Sequence, residues 1–163
     1  MALNGTKDMR LPIILRRFKH MDLVFSIEAR LRASANTGLS FLTKKELSIL
    51  SEWQVAKDRV QKFNEELIAH RERLGGVEVD LLLRSRGTSS YWALIEVKSR
   101  DDDLWDYGAA VPVRQRRRYA HVAAILRERW EHPVGSRIAV VSHRERGLFA
   151  PDIRYFDLEE SLY

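Results

Sequence analysis

The pattern of apolar and polar positions predicts helices in the first half of the chain. Residues 8–33 are predicted to form short helical pieces, and the polar segment 34–38 separates them from the next helix. Thr43 and Glu46 form a capping-box pair, so that helix is predicted to begin there and to run to Gly75-Gly76. Its apolar seam alternates steps of four and three: Ile49, Trp53, Ala56, Val60, Phe63, Leu67, His70 and Leu74. We favour a helix that lies across its own domain over one that pairs with a second copy, because aromatic and histidine residues are poor zipper residues.

The period of the pattern changes to that of strands after the two glycines. Residues 77–84 and 91–99 are rich in β-branched and other apolar residues, and turn-forming residues lie between them, which predicts a β-hairpin. The remaining predicted elements are a helix over 114–130 and strands over 137–142 and 153–156. This order predicts an α/β fold in which a small mixed central sheet is flanked by helices.

Length and composition narrow the class of protein. The 163 residues suit one domain with a short appendage, and we assign 1–50 to an N-terminal helical extension and 51–163 to the α/β core. The absence of cysteine excludes disulfides, thiolate zinc sites and cysteine nucleophiles. No apolar stretch approaches the ~20 residues of a membrane helix, and the N-terminus lacks the pattern of a secretory signal, so we expect a cytoplasmic location and no membrane partner. The net charge of +5 favours a polyanion partner such as nucleic acid.

Two carboxylates are predicted to face each other across the hairpin. A turn centred near Thr88 places Asp80 opposite Glu96, and Lys98 projects from the same face of its strand as Glu96. Facing carboxylates repel unless a cation lies between them. Lys98 could supply part of that positive charge, but Mg²⁺ or Mn²⁺ fits better because a hard divalent cation prefers oxygen ligands. Such an ion activates water for phosphodiester hydrolysis, with the lysine orienting that water. The alternative is a plain cross-strand salt bridge.

The same residues resemble the signature of a known family. Val77-Glu78-Val79-Asp80-Leu81-Leu82, followed by Ile95-Glu96-Val97-Lys98-Ser99-Arg100, is similar to the PD-(D/E)xK nuclease superfamily. The likeness is closest to its Holliday-junction-resolvase-like branch, the bacterial YraN-type proteins, in which a Lys-Gln pair opens the next helix. Here Arg114-Gln115 opens that helix, after a loop that contains Gly108.

The resemblance implies a restriction-endonuclease-like core and a Mg²⁺-dependent (or Mn²⁺-dependent) endonuclease that acts on branched or structured DNA in repair or recombination. Asp80 and Glu96 would ligate the metal, and Lys98 would assist the attacking water. Gln115 would contact the site or the scissile phosphate from the N-terminus of its helix, a position that attracts phosphate. Glu66 would be the helix-borne acid that completes the metal site.

Further charged residues receive supporting roles by the same reasoning. Glu65 is the alternative to Glu66, because the two are adjacent, and Glu78 is a candidate to lie just behind the metal ligands. The arginines that we expect to bind DNA are Arg100, Arg114, Arg116, Arg117 and Arg118. The segment Trp105-Asp106-Tyr107 is a candidate for stacking on bases.

Other functions fit the pattern as well. One is a nucleic-acid-binding or protein-interaction module on the same fold without turnover. Another is a subunit of a restriction or transposition endonuclease whose N-terminal helices dock a partner. A homodimer through the N-terminal helices or the long helix is a further expectation, since symmetric cutting of two strands needs two sites.

Overall fold

The computed structural model describes residues 14, 16–33, 42–100, 111–143 and 147–159, without the side chain of Arg100. Its longer helices are α1 (Met21–Ala33), α2 (Lys44–Lys62) and α3 (Val113–Trp130). Its strands are β1 (Glu65–Leu74), β2 (Val77–Ser85), β3 (Trp92–Arg100), β4 (Val134–Ser142) and β5 (Asp152–Asp157). The predicted fold class, an α/β chain with a small mixed sheet flanked by helices, is therefore confirmed.

The five strands form one sheet in the order β1-β2-β3-β4-β5. Strands β3 and β4 run parallel, with α3 as the crossover between them, and the other neighbours are antiparallel. Alternate residues of the central strands supply two cores: Leu83 and Ile95 pack with α2, whereas Leu82 and Leu94 pack with α3. The sheet is thus covered by α2 on one face and by α3 on the other.

The prediction of a single helix from Thr43 to Leu74 is wrong beyond Lys62. The capping box is present, because Thr43 Oγ1 accepts a hydrogen bond from the Glu46 N–H at 3.2 Å. The helix stops where Asn64 takes a left-handed conformation with φ of 52°. Residues 65–74 then pair with β2 across the turn at Gly75-Gly76, where both glycines have positive φ. A Gly-Gly pair between two runs is a hairpin signal, and cross-strand pairing outweighed the helical spacing.

The apolar seam of α2 packs inside the domain, as the favoured interpretation expects. Ile49, Trp53 and Val60 are buried in the core beneath the sheet. Phe18 and Val24, from the N-terminal part, lie in that same core cluster. The boundary predicted at residue 50 falls inside α2, and the division into extension and core stays a prediction. None of the helices that the structure describes is long and apolar enough to cross a membrane.

Candidate functional site

The β2–β3 hairpin has the predicted register. Leu81 pairs with Ile95, and the pairing continues to Arg84 and Trp92. Asp80 and Glu96 are the next residues beyond the first of these pairs. Asp80 Oδ2 accepts a hydrogen bond from the backbone N–H of Val97 at 2.8 Å, which ties the aspartate to the strand that carries the glutamate.

Three side chains converge on the Glu96 carboxylate, which is 4% exposed. Lys98 Nζ lies 2.6 Å from Glu96 Oε1. Gln115 Nε2 donates to the same oxygen at 2.6 Å. The Tyr119 hydroxyl donates to Glu96 Oε2 at 2.5 Å. The structure therefore brings together Asp80, Glu96, Lys98 and Gln115, four residues that the sequence placed at one site.

Tyr119 is a member of this site that was not among the predicted site residues. Its buried hydroxyl also lies 3.4 Å from the backbone nitrogen of Asp80, so it bridges the two acidic strands. Burial, together with the charges of Glu96 and Asp80, holds the pKa of Tyr119 well above its usual value. The tyrosine therefore stays a neutral donor. The sequence feature that could have indicated this role is the position of Tyr119 four residues after Gln115, which puts both side chains on the same face of α3.

The Asp80 carboxylate lacks sufficient positive charge around it. Burial, followed by repulsion from Glu96 and then from Glu52, raises the pKa of Asp80 to about 8. The hydrogen bond from Val97 and the charge of Lys98 act in the opposite direction but do not prevail. A hard divalent cation would remove this repulsion, and carboxylate oxygens are the ligands it prefers. The donor chemistry of Asp80 and Glu96 therefore fits Mg²⁺ or Mn²⁺.

Glu52 on α2 is an acid that the sequence reasoning missed. It is 2% exposed, and its charge reaches Asp80 strongly enough to raise the pKa of that residue. Arg71 donates to both Glu52 oxygens, at 3.0 and 2.8 Å, and His70 Nε2 lies 2.5 Å from Oε2. Burial opposes ionisation of Glu52, but these hydrogen bonds outweigh it and lower the pKa. The sequence feature that could have indicated it is a charged residue beside the apolar seam, three residues after Ile49 and therefore on the same side of the helix.

His70 and Arg71 hold Glu52 in a defined way. His70 Nδ1 accepts a hydrogen bond from the backbone N–H of Lys19 at 2.9 Å, so Nε2 carries the proton and donates to Glu52. Burial lowers the pKa of His70, which keeps the imidazole neutral. Arg71 has φ of 48°, a left-handed backbone that is uncommon outside glycine. This conformation occurs in β1 beside the candidate site, where backbone strain often accompanies function.

The candidate site opens into a cavity of about 590 Å³. Its lining combines the two acids with basic and amide side chains: Arg73, Glu78, Asp80, Glu96, Arg114, Gln115 and Arg118, besides Gly76, Val77 and Pro112. Glu78 is exposed where it lines this cavity, and its supporting role behind the metal ligands stays a prediction. The arginines surround a carboxylate pair that is fit for a cation, an arrangement suited to a phosphate bridged by metal.

The structure does not bring Glu66 to this site. Glu66 lies on β1 rather than on a helix, and it pairs with Arg84, four residues from Asp80 along β2. That separation is about 13 Å at ~3.3 Å per residue. Its carboxylate instead forms ion pairs with Arg17 at 2.9 Å and with Arg84 at 3.3 Å. The prediction of Glu66 as a helix acid and metal ligand is therefore corrected.

The alternative acid, Glu65, does not belong to the candidate site either. It is completely buried and forms a two-pronged ion pair with Arg59, whose Nε lies 2.8 Å from Glu65 Oε2. The Tyr91 hydroxyl donates to its other oxygen at 2.6 Å. Because all of these partners are internal, Glu65 joins the end of α2 to the sheet rather than completing the candidate site.

Four of the five predicted DNA-binding arginines have described side chains, and these four divide into two groups. Arg114, Arg117 and Arg118 are exposed on the first turns of α3. Arg116 is 9% exposed and belongs to the buried face of that helix, so its prediction as a DNA contact is corrected. The side chain of Arg100 and the segment Trp105-Asp106-Tyr107 lie outside the described residues.

Within the described ranges, no three acidic or histidine side chains form a group that could hold a metal ion. The acidic residues that line the cavity are Asp80, Glu96 and the exposed Glu78, while Glu52 is held by His70 and Arg71. A cation here would therefore take two carboxylates and complete its shell with water or substrate oxygens, as Mg²⁺ commonly does.

Comparisons with known proteins leave the family open. No protein-family model matches the chain, and no curated protein matches it. Among solved structures, the chain is similar to SfsA of Pyrococcus furiosus in complex with Ca²⁺, with 14% sequence identity and a TM-score of 0.34. That match covers 69% of this chain and 61% of the SfsA chain.

Proposed function

We propose that this protein is a metal-dependent endonuclease that hydrolyses phosphodiester bonds in branched or structured DNA. The observation that carries the proposal is one cavity lined by Asp80, Glu96, Gln115 and three arginines, with the Lys98 ammonium in contact with Glu96. A pair of carboxylates, one of which lacks enough neutralising charge, surrounded by phosphate-binding side chains, is what a metal-assisted phosphodiesterase requires.

Each residue of the site has a role that its contacts support. Asp80 and Glu96 would hold Mg²⁺ or Mn²⁺, which when bound supplies Lewis-acid activation of the phosphodiester and of water. Lys98, whose ammonium lies 2.6 Å from Glu96, orients the attacking water and stabilises negative charge that develops on the phosphate. Gln115 and Tyr119 fix the Glu96 carboxylate by donating to one oxygen each.

The substrate backbone is bound by the cavity rim. Arg73, Arg114 and Arg118 line the same cavity as the acids, and the first turn of α3 contains no acidic residue. The N-terminal end of that helix adds its own positive field. These contacts position a phosphate without reading the base sequence, which suits an enzyme that acts on DNA structure.

A cleavage panel tests the proposal. Single-strand, duplex, flap and four-way-junction DNA are incubated with the protein and Mg²⁺ or Mn²⁺, then with chelator. We expect metal-dependent cleavage of at least one branched substrate, and loss of that cleavage with retained DNA binding in Lys98→Ala. Lys45→Ala, an exposed lysine in the first turn of α2, is the matched control. Undiminished cleavage by Lys98→Ala would refute the assignment.

A second candidate is a nucleic-acid-binding module on the same fold that lacks turnover. Its supporting observation is that no group of three metal-ligating residues occurs in the described ranges. Metal binding separates the two candidates, since a silent module needs none. The cytoplasmic location, the homodimer and a role as an endonuclease subunit stay predictions.

A further inference from the structure

A second groove adjoins the candidate site on the outer face of α3. Its volume is about 590 Å³, and its lining residues are Val77, Val113, Arg114, Arg117, Arg118 and His121. Val77, Arg114 and Arg118 also line the cavity that contains Asp80 and Glu96. The two spaces therefore share a wall.

The chemistry of this groove combines positive charge with an apolar floor. Arg114, Arg117 and Arg118 are exposed, and no carboxylate is among the residues that line it. Val113 is 48% exposed, so its apolar side chain is available for contact in this groove. The arginines can bind phosphate oxygens through charge-assisted hydrogen bonds. The valines favour contact with a flat apolar surface of the ligand.

Those two features together select among nucleic-acid structures. An intact duplex presents phosphates on its outside and keeps its base faces stacked on one another, so its base faces cannot contact the apolar floor of the groove. An unpaired strand offers phosphates and exposed base faces at once, and bases stack well on apolar, aromatic and guanidinium surfaces. From Arg114 to His121 the helix rises about 10 Å, comparable to about three nucleotides at ~3.4 Å of rise each.

We infer that this groove, here called the Val113 groove, binds unpaired nucleotides of DNA that flank the phosphate in the candidate site. One base lies on Val77 and Val113, and the arginines bind the adjoining phosphates. The substrate is accordingly DNA with a single-stranded segment beside the cut, such as a flap or fork. The inference rests on the proposed function for the identity of the polymer, because the groove itself contributes no catalytic group.

Binding in chelator tests this inference without any turnover. Fluorescence anisotropy is measured with the full chain in EDTA against a thymidine oligonucleotide, the same strand with central abasic residues, and a duplex of equal length. Stacking of a base on an aromatic side chain is worth about 1–3 kcal/mol, and contact with the smaller valine side chains is weaker, so we expect the intact strand to bind about threefold or more tightly than the abasic one. The intact strand is also expected to bind more tightly than the duplex.

A matched pair of variants locates the effect. Val113→Asn keeps the charge and replaces an exposed side chain, so the ratio between intact and abasic strands should fall toward one. Ile125→Asn makes the same kind of change on α3 at a position that is 39% exposed and outside the groove, and should leave the ratio unchanged. Thermal melting of both variants confirms that the fold is retained.

Three results would overturn the inference: equal binding of abasic and intact strands, tighter binding of duplex, or equally effective competition by polyglutamate of matched charge. The last would indicate an acidic protein partner instead of DNA. Failure of the two proposals is distinguishable. Base-dependent binding without cleavage on the panel rejects the nuclease and keeps the groove, whereas cleavage with no base dependence does the reverse.

Discussion

Removing the charge of Asp80 should stabilise the metal-free protein, although it removes a proposed metal ligand. The half-buried carboxylate lies beside Glu96, and its pKa is raised from 3.8 to about 8. The folded state therefore holds a proton on Asp80 across a pH range in which the unfolded chain has lost it. The stability that this proton contributes is fully present below about pH 4 and is lost as the pH rises through about 8.

The size of the effect follows from the same shift. At about 1.4 kcal/mol per pKa unit, the shift sets an upper limit of roughly 6 kcal/mol on the cost of ionising Asp80 in the fold. Asp80 is half-buried, so water and relaxation of the site reduce this cost, and we expect about 1–3 kcal/mol. In Asp80→Asn, the amide oxygen still accepts the hydrogen bond from the Val97 N–H, so that contact is not lost.

Urea unfolding in EDTA at pH 5, 7 and 9 measures this directly. Wild type should lose stability between pH 5 and 9, and Asp80→Asn should lose less and be the more stable protein at pH 9. Glu78→Gln is the matched control, since it removes a negative charge from an exposed residue on the rim of the same cavity. If Asp80→Asn is less stable than wild type at pH 9 by more than about 1 kcal/mol, the carboxylate is a structural group and the reasoning fails.

Three further changes test other parts of the structure. Glu66→Gln should leave any cleavage rate within about twofold of wild type, because Glu66 lies far from Asp80 and surface ion pairs are worth only about 0–1 kcal/mol. A tenfold loss of cleavage would instead indicate that Glu66 takes part in the site. Arg117→Ala should reduce the steepness of the plot of log binding constant against log salt concentration by about 0.7–0.9, as measured by anisotropy from low to high salt. Arg129→Ala, in the last turn of α3, should leave that slope unchanged. Burial lowers the pKa of His143 to about 4, so its contribution to stability is present above pH 6.5 and is lost as the pH falls toward 4. His143→Gln, compared by urea unfolding between pH 4 and 7, should flatten that loss; an unchanged slope would exclude His143 as its origin.

The sequence predicted the hairpin and its site well because the determinants there are local. The length of the turn around Thr88 sets the register, and the register alone sets Asp80 beside Glu96. Lys98 follows from strand alternation. Gln115, on a separate helix, was instead implied by the family resemblance.

The errors arose where distant packing decides the structure. Residues 65–74 carry a helical spacing, yet they form a strand because β2 offers them a pairing edge across Gly75-Gly76. That one error moved Glu66 onto a helix and concealed Glu52, which becomes relevant only when α2 packs beneath the sheet. Arg116 was misassigned because a run of arginines does not show which of them faces the core.

The most direct measurement of the central claim is a titration with Mn²⁺, followed by calorimetry and by the melting temperature. If Asp80 and Glu96 hold a divalent cation, wild type should bind Mn²⁺ saturably and its melting temperature should rise with metal concentration. Asp80→Asn and Glu96→Gln should lose both responses, while Glu78→Gln should keep them. Wild-type protein that neither binds Mn²⁺ nor melts at a higher temperature in its presence would contradict the proposed metal-dependent nuclease.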